Sequence, residues 1–110
     1  MTQLRLAASL VAAALLLCAP ALAQADKKIE RTWKSKCASC HGAAGKGDTD
    51  KGKELKIVDM TTPAFQAKKD DELKKAILEG VKKEKGHSFK SELTPEQVDA
   101  LIAYIRTFKK

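Results

Sequence analysis

The sequence predicts an all-α domain of three to four short helices, and three observations support this. Apolar residues recur at helical spacing in three stretches, residues 26–37, 70–80 and 94–108. Residues that commonly begin or end helices stand at the edges of these stretches. Between the first two stretches lies a Cys-x-x-Cys-His sequence, which interrupts the periodic pattern and carries the chemistry.

Residues 1–23 have the features of a secretory signal peptide. Arg5 provides the positive charge near the start, residues 6–17 are almost wholly apolar, and residues 21–23 form a small-x-small cleavage pattern. The apolar run is too short to span a bilayer comfortably, so we expect removal rather than stable membrane insertion. We therefore predict export to the bacterial periplasm.

The mature chain is predicted to be a single domain at 24–110. A second cleavage site after Ala25 is also consistent with the sequence. Cys18 belongs to the removed segment, so the mature domain keeps two of the three cysteines. A domain this short usually needs a disulfide, a metal or a comparable group to be stable, because it buries little apolar surface.

Residues 37–41 carry the clearest chemical signal in the chain. Cys37 and Cys40 are three positions apart and His41 follows directly. This arrangement suits covalent attachment of haem, because each sulfur can add to one haem vinyl group while the histidine binds the iron. We predict one haem c held by two thioether bonds, with His41 as an iron ligand. Without this haem we expect the chain to be largely unfolded.

Three other interpretations of the two thiols were weighed. A dithiol redox centre would require a nearby strand-helix-strand pattern, which the sequence lacks. A structural zinc site would need ligands beyond His41 and His87, and there is no second cysteine pair. A periplasmic disulfide is the third possibility. We favour haem attachment because it alone requires both the adjacent histidine and export.

The first helical stretch, residues 26–37, leads directly into this motif. Ile29, Trp33 and Cys37 share one face, and Asp26 is the expected N-cap. Trp33 should therefore belong to the core.

Residues 42–59 show no helical or strand period and contain several glycines, which we expect to let the backbone approach the porphyrin edge. The apolar residues that follow, Leu55, Ile57 and Val58, should pack on the haem edge. A backbone carbonyl near them is expected to accept the Nδ1 proton of His41.

The remaining helices have clear start and stop signals. A short turn should begin at Pro63, capped by Thr61 or Thr62, with Phe65 buried. The next helix should be capped by Asp70 and Asp71, end at Gly80, and have an inward face of Leu73, Ala76 and Ile77.

The last helix should begin with a capping box at Thr94 to Gln97. Its inward stripe is expected to comprise Val98, Leu101, Ile102, Ile105 and Phe108, with Tyr104 at the edge of the stripe.

The mature chain resembles small class I c-type cytochromes, the monohaem electron carriers of the bacterial periplasm. The shared features are Trp33 four residues before the first cysteine, the motif at 37–42, the Gly-Lys-Gly loop at 45–47, the Leu73, Ile77 and Gly80 helix, and the Leu-Thr-Pro-Glu-Gln start of the last helix. The resemblance implies a small cytochrome c fold around one haem and electron transfer rather than enzymatic activity.

One feature departs from this family. Its second iron ligand is usually the methionine of a Met-Pro-x-Phe sequence before the last helix. Placing Phe89 on that phenylalanine puts Gly86 at the methionine and His87 at the proline. His87 is the favoured replacement and Met60 the runner-up, while an iron without a second protein ligand is the third option.

These assignments predict a low-potential, monomeric electron carrier whose cofactor-binding residues include Leu55, Phe65 and Phe89. The alternative is a haem protein with an open or displaceable ligand that binds or senses nitric oxide, carbon monoxide or peroxide. The formal charge of +7 and lysines near the haem edge, at Lys36, Lys46 and Lys85, favour a transient complex with an acidic redox partner. Nucleic acid is not an expected partner, because the predicted compartment excludes it.

Overall fold

Six helices form the part of the chain that the structure describes. This computed structural model describes residues 19–81 and 86–109, with side chains from residue 26 onward in these ranges. In chain order the helices are α1 (Ala19–Lys36), α2 (Ala38–His41), α3 (Asp50–Glu54), α4 (Pro63–Gln66), α5 (Asp70–Glu79) and α6 (Pro95–Arg106). The prediction of an all-α architecture is confirmed.

Helix α1 begins earlier than the sequence pattern indicated. Asp26 lies inside the helix, which the structure describes from Ala19 onward, so its prediction as the N-cap is wrong. The segment just before Asp26 is rich in alanine, the best helix former. Most of the predicted signal peptide lies outside the described residues, and its cleavage stays a prediction.

Helix α3 was not predicted, because residues 50–54 contain no apolar stripe and a central glycine. Local hydrogen bonds define it instead. The side chain of Thr49 caps the helix by accepting from the Gly52 amide at 2.9 Å, and it donates to the Cys40 carbonyl at 3.0 Å. Thr49 thus joins the start of α3 to the cysteine motif.

The glycine-rich loop before α3 is pressed against the protein's own atoms. Gly45 has a φ of 73°, and a Cβ there would lie 2.6 Å from the Phe108 ring. Gly47 has a φ of 64°, and a Cβ there would lie 2.8 Å from the carbonyl oxygen of Ile57. These two positions require glycine because the chain folds back on itself. Close approach to a porphyrin edge is not needed to explain them.

Helix α4 matches its prediction. Thr62 caps it by accepting from the Phe65 amide, and Pro63 occupies the first turn. Phe65 is buried. The amide side chain of Gln66 donates to the carbonyl of Met60 at 2.8 Å and to that of Ile105 at 3.1 Å, which ties this short helix to α6.

Helix α5 is capped differently from the prediction. Its N-cap is Lys69, which makes no side-chain capping bond, and Asp70 is the first helical residue. Asp70 instead accepts from Arg106 at 2.7 Å, and the same guanidinium donates to the carbonyls of Gln66 and Lys68. The carboxylate is therefore used to hold α6 rather than to cap α5. Gly80 ends the helix, as predicted.

Helix α6 begins with the predicted capping box. Thr94 accepts from the Gln97 amide at 3.2 Å, and the Gln97 side chain accepts from the Thr94 amide at 2.8 Å. The inward stripe is also confirmed, and the core comprises Trp33, Met60, Phe65, Leu73, Leu93, Val98, Leu101, Ile102 and Ile105.

The side chain of Trp33 packs α1 against α6 and the residues that follow α6. The ring centre of Trp33 lies 5.1 Å from that of Phe108 and 5.9 Å from that of Tyr104. It is only 2% exposed. The predicted packing of the last helix across the first, near Trp33, is confirmed.

Candidate haem site

The two thiols lie on one tight turn at the junction of α1 and α2. The Cys37 amide donates to the Trp33 carbonyl at 2.9 Å, which continues α1. The Cys37 carbonyl then accepts from the amides of Cys40 and His41, at 3.3 and 2.9 Å. Both cysteines are free and partly exposed. One backbone turn therefore fixes both thiols and the imidazole relative to each other.

The environment of Cys37 favours the neutral thiol. Burial raises its pKa from 9.0 to about 11, and the nearby charge of Lys36 opposes this shift only in part. Since the thiolate is the reactive form, Cys37 is a poor nucleophile in the folded chain. This environment disfavours a dithiol redox centre in which Cys37 is the attacking thiol, because such a thiol needs a lowered pKa.

His41 is held between two aromatic side chains. Its ring centre is 5.9 Å from that of Trp33 and 6.0 Å from that of His87. Burial lowers the pKa of His41 from 6.5 to about 4, and the charge of the neighbouring His87 also lowers this pKa. The imidazole is therefore neutral at physiological pH, which is the form that binds a metal.

The predicted hydrogen bond from His41 Nδ1 to a backbone carbonyl is not formed. That atom is buried and has no hydrogen-bond partner among the described residues. The backbone carbonyl of His41 accepts from the Gly47 amide at 2.7 Å. The ring is thus positioned by its own backbone and by packing against Trp33.

His87 is brought to the imidazole of His41 from a distant part of the chain. The planes of the two rings are inclined at 70°. On its other side, the His87 ring contacts Phe89, with ring centres 5.4 Å apart. His87 is partly buried, and its Nδ1, like that of His41, is buried without a hydrogen-bond partner.

The spacing of these histidines fits a haem iron. Two imidazoles bound to one iron from opposite sides, each with its nitrogen about 2 Å from the metal, have ring centres roughly 6 Å apart. The observed 6.0 Å agrees with this. Cys37 and Cys40 lie beside His41 on one turn, as two thioether bonds to the same haem would require. The residues present therefore fit the cofactor that the sequence predicted.

Met60, the other candidate ligand, has a different environment. It is 8% exposed and belongs to the hydrophobic core. Its amide donates to the Gly45 carbonyl at 2.8 Å, and its carbonyl accepts from Gln66. Its backbone is therefore fixed on both sides within the loop between α3 and α4.

The other predicted cofactor-binding residues are spread over two loops and one short helix. Phe65 is buried in the core, Phe89 packs against the core, and Leu55 is half-buried. Val58, expected beside Leu55 on the haem edge, is 58% exposed. Haem contact by Leu55, Val58, Phe65 and Phe89 stays a prediction.

Sequence reasoning missed one residue of this site's framework. The indole of Trp33 donates a hydrogen bond to the Gly42 carbonyl at 3.1 Å, directly after His41. Trp33 was assigned to the core alone, because its spacing gives only its face on the helix. A tryptophan four residues before the first cysteine was the available signal, since a buried indole N–H needs an acceptor nearby.

Two further properties concern the described residues only. Within 19–81 and 86–109, no three histidine, cysteine or acidic side chains converge as a metal-ion site, so the zinc site considered above is not formed there. In the same part of the chain, the helices lack the length and hydropathy needed to cross a membrane.

The helical fold and the cysteine turn with its adjacent histidine define the class of protein as a c-type cytochrome. Residues 24–105 match the family model described as cytochrome C oxidase, cbb3-type, subunit III, and the chain belongs to this family of cytochrome c domains. Membership implies a covalently bound haem c, and the spacing of Cys37 and Cys40 agrees with it. Members of the family are typically electron carriers without enzymatic activity.

A solved structure supports the same conclusion. The chain is similar to the KustC0563 c-type cytochrome, with a TM-score of 0.68 and 34% sequence identity over 74% of this chain and 96% of that one. No curated protein matches the sequence. The predicted family resemblance and the cytochrome c fold are confirmed.

Proposed function

We propose that the protein is a periplasmic electron carrier that holds one haem c between His41 and His87. The observation that carries this proposal is the 6.0 Å separation of the two imidazole rings. Bound haem supplies an iron that alternates between the ferric and ferrous states. The chain must then hold both ligands in nearly the same place in both states.

The immediate surroundings of the two histidines suit this task. Trp33 packs on His41, and Phe89 packs on His87, so large rigid side chains limit the movement of both rings. The aromatic contacts continue from Trp33 to Tyr104 and Phe108 on and after α6. Movement of His41 would disturb the core, which keeps the rearrangement between redox states small.

The choice of His87 determines the expected potential. Histidine is a more basic ligand than the methionine thioether, which raises the potential of cytochromes c. A second imidazole therefore favours ferric iron, and the proposed carrier works at low potential. His41 is neutral at physiological pH, so its lone pair is free to bind the iron.

The proposed partner is an acidic redox protein that forms a brief complex with a monomeric carrier. The chain has a formal charge of +7, which favours fast, salt-sensitive encounters. Lys46 is exposed in the loop after the motif, whereas Lys36 is paired with Glu92 at 3.3 Å. Lys85 lies outside the described residues. Of the three lysines predicted near the haem edge, we therefore favour Lys46 as the one that contacts the partner.

The ligand assignment is tested by replacing each candidate in the holoprotein. We expect His87→Ala to lose the low-spin ferric spectrum and Met60→Leu, which keeps the side-chain volume, to retain it. A near-infrared band typical of methionine ligation in the wild type, or loss of the low-spin spectrum in Met60→Leu alone, would contradict the assignment.

Carbon monoxide distinguishes the carrier from the alternative function of a small-molecule sensor. A carrier with two protein ligands should bind carbon monoxide slowly or not at all when reduced. Immediate binding by the wild type would mean that the iron has an open or easily displaced ligand. The carrier proposal would then be replaced by the binding or sensing of a small molecule.

A further inference from the structure

We propose that Gly80 is a positioning residue for His87. The C-terminal end of α5, which we call the seat of His87, contacts the His87 segment and sets the distance between His87 and His41. This inference rests on the proposed function, because it assigns His87 to the iron. It concerns a different question, namely what holds a ligand carried by a loop at the required position.

The seat consists of three contacts between the C-terminal end of α5 and residues 87–89. The Phe89 amide donates to the Ile77 carbonyl at 3.0 Å, and the Ser88 hydroxyl donates to the Leu78 carbonyl at 2.9 Å. The last carbonyls of a helix have no partner within the helix, so the His87 segment satisfies two of them.

The third contact is the one that only glycine permits. Gly80 has φ 87° and ψ −177°, a backbone region essentially restricted to glycine. A Cβ at this position would overlap the carbonyl oxygen of His87 and lie 3.0 Å from its carbonyl carbon. These atoms belong to the backbone and cannot rotate away as a flexible side chain would. Any side chain at residue 80 must therefore displace the backbone of His87.

Displacement at this point moves the imidazole directly. Among the described residues, the His87 Nδ1 has no hydrogen-bond partner, so the ring is positioned by its contacts with Phe89 and His41 and by its own backbone. The backbone contact with Gly80 is thus a restraint on the ring. We infer that Gly80 keeps His87 within reach of the iron.

The test compares glycine substitutions in the holoprotein. In Gly80→Ala we expect the rate of carbon monoxide binding to the ferrous protein to rise about tenfold, since the strain at such a backbone position is relieved when His87 leaves the iron. A high-spin ferric fraction should appear, and added imidazole should restore the low-spin spectrum. Ser88→Ala, which removes one bond of the seat, should produce a smaller rise.

Gly45→Ala is the matched control. Gly45 also has a positive φ, and its Cβ would meet the Phe108 ring, away from His87. We expect a loss of thermal stability without a change in spin state or in carbon monoxide binding. If Gly80→Ala does not fold, Ser88→Ala provides the same comparison.

The outcomes separate this inference from the proposed function. If His87→Ala opens the iron while Gly80→Ala and Ser88→Ala behave like the wild type, the seat is refuted and the ligand assignment stands. If Gly45→Ala opens the iron as much as Gly80→Ala, the effect is general loosening and the seat is also refuted. If His87→Ala itself stays low-spin and unreactive to carbon monoxide, both proposals fail.

Discussion

Replacing Trp33 with phenylalanine tests whether this side chain joins the haem motif to the C-terminal helix. The substitution keeps an aromatic ring but removes the indole N–H that donates to the Gly42 carbonyl at 3.1 Å. The buried Gly42 carbonyl keeps its second bond, from the Gly45 amide at 3.2 Å, so the cost is that of one lost hydrogen bond, about 0.5–1.5 kcal/mol. Loss of the second ring from a site that is 2% exposed adds about 1–2 kcal/mol.

We therefore expect the free energy of unfolding of Trp33→Phe to fall by about 1.5–3.5 kcal/mol. Guanidinium unfolding of the holoprotein, followed by far-ultraviolet circular dichroism, measures this change. Tyr104→Phe is the control, because it keeps the ring contacts with Trp33 and Phe108 and should cost less than about 0.5 kcal/mol. If Trp33→Phe is as stable as this control, the indole bond does not link the motif to the core as argued.

Three other predictions follow from the same structure. The free energy of unfolding should fall as the pH decreases from about 6.5 towards 4. The unfolded chain takes up a proton on His41 in this range, whereas the folded chain does not, because its His41 pKa is lowered to about 4. A denaturant midpoint that is constant over this range would contradict this prediction. Thr94→Ala, which breaks the capping box, should cost about 1 kcal/mol, and an unchanged thermal midpoint would refute this. Cys37→Ser/Cys40→Ser, which prevents covalent attachment, should leave a largely unfolded haem-free chain by circular dichroism, and a cooperative unfolding transition would show that the chain folds alone.

The features that the sequence predicted well are those encoded within a few residues. Thr94 and Gln97 of the capping box are three positions apart, and the inward stripe of α6 follows from helical periodicity alone. The order of Cys37, Cys40 and His41 defines the attachment motif for the same reason. Each of these patterns depends on neighbouring residues only, so it can be recognised without knowing the tertiary structure.

The features that were missed depend on contacts between distant segments. Asp70 was expected to cap α5, but its carboxylate instead accepts a hydrogen bond from Arg106, which is thirty-six positions further along the chain. Among the described residues, His41 Nδ1 lacks the backbone acceptor that was expected from the loop near Leu55, because the local pattern does not show where that loop's carbonyls lie. Gly80 was recognised only as a helix stop, since nothing in the local pattern shows that the His87 backbone lies against it.

The mass of the purified, matured protein tests the central claim most directly. After expression with a working cytochrome maturation system, the account predicts a red protein whose intact mass equals the processed chain plus one haem, and whose haem stays attached under denaturing conditions. A colourless protein with the mass of the bare processed chain would contradict the claim that Cys37 and Cys40 hold a haem beside His41.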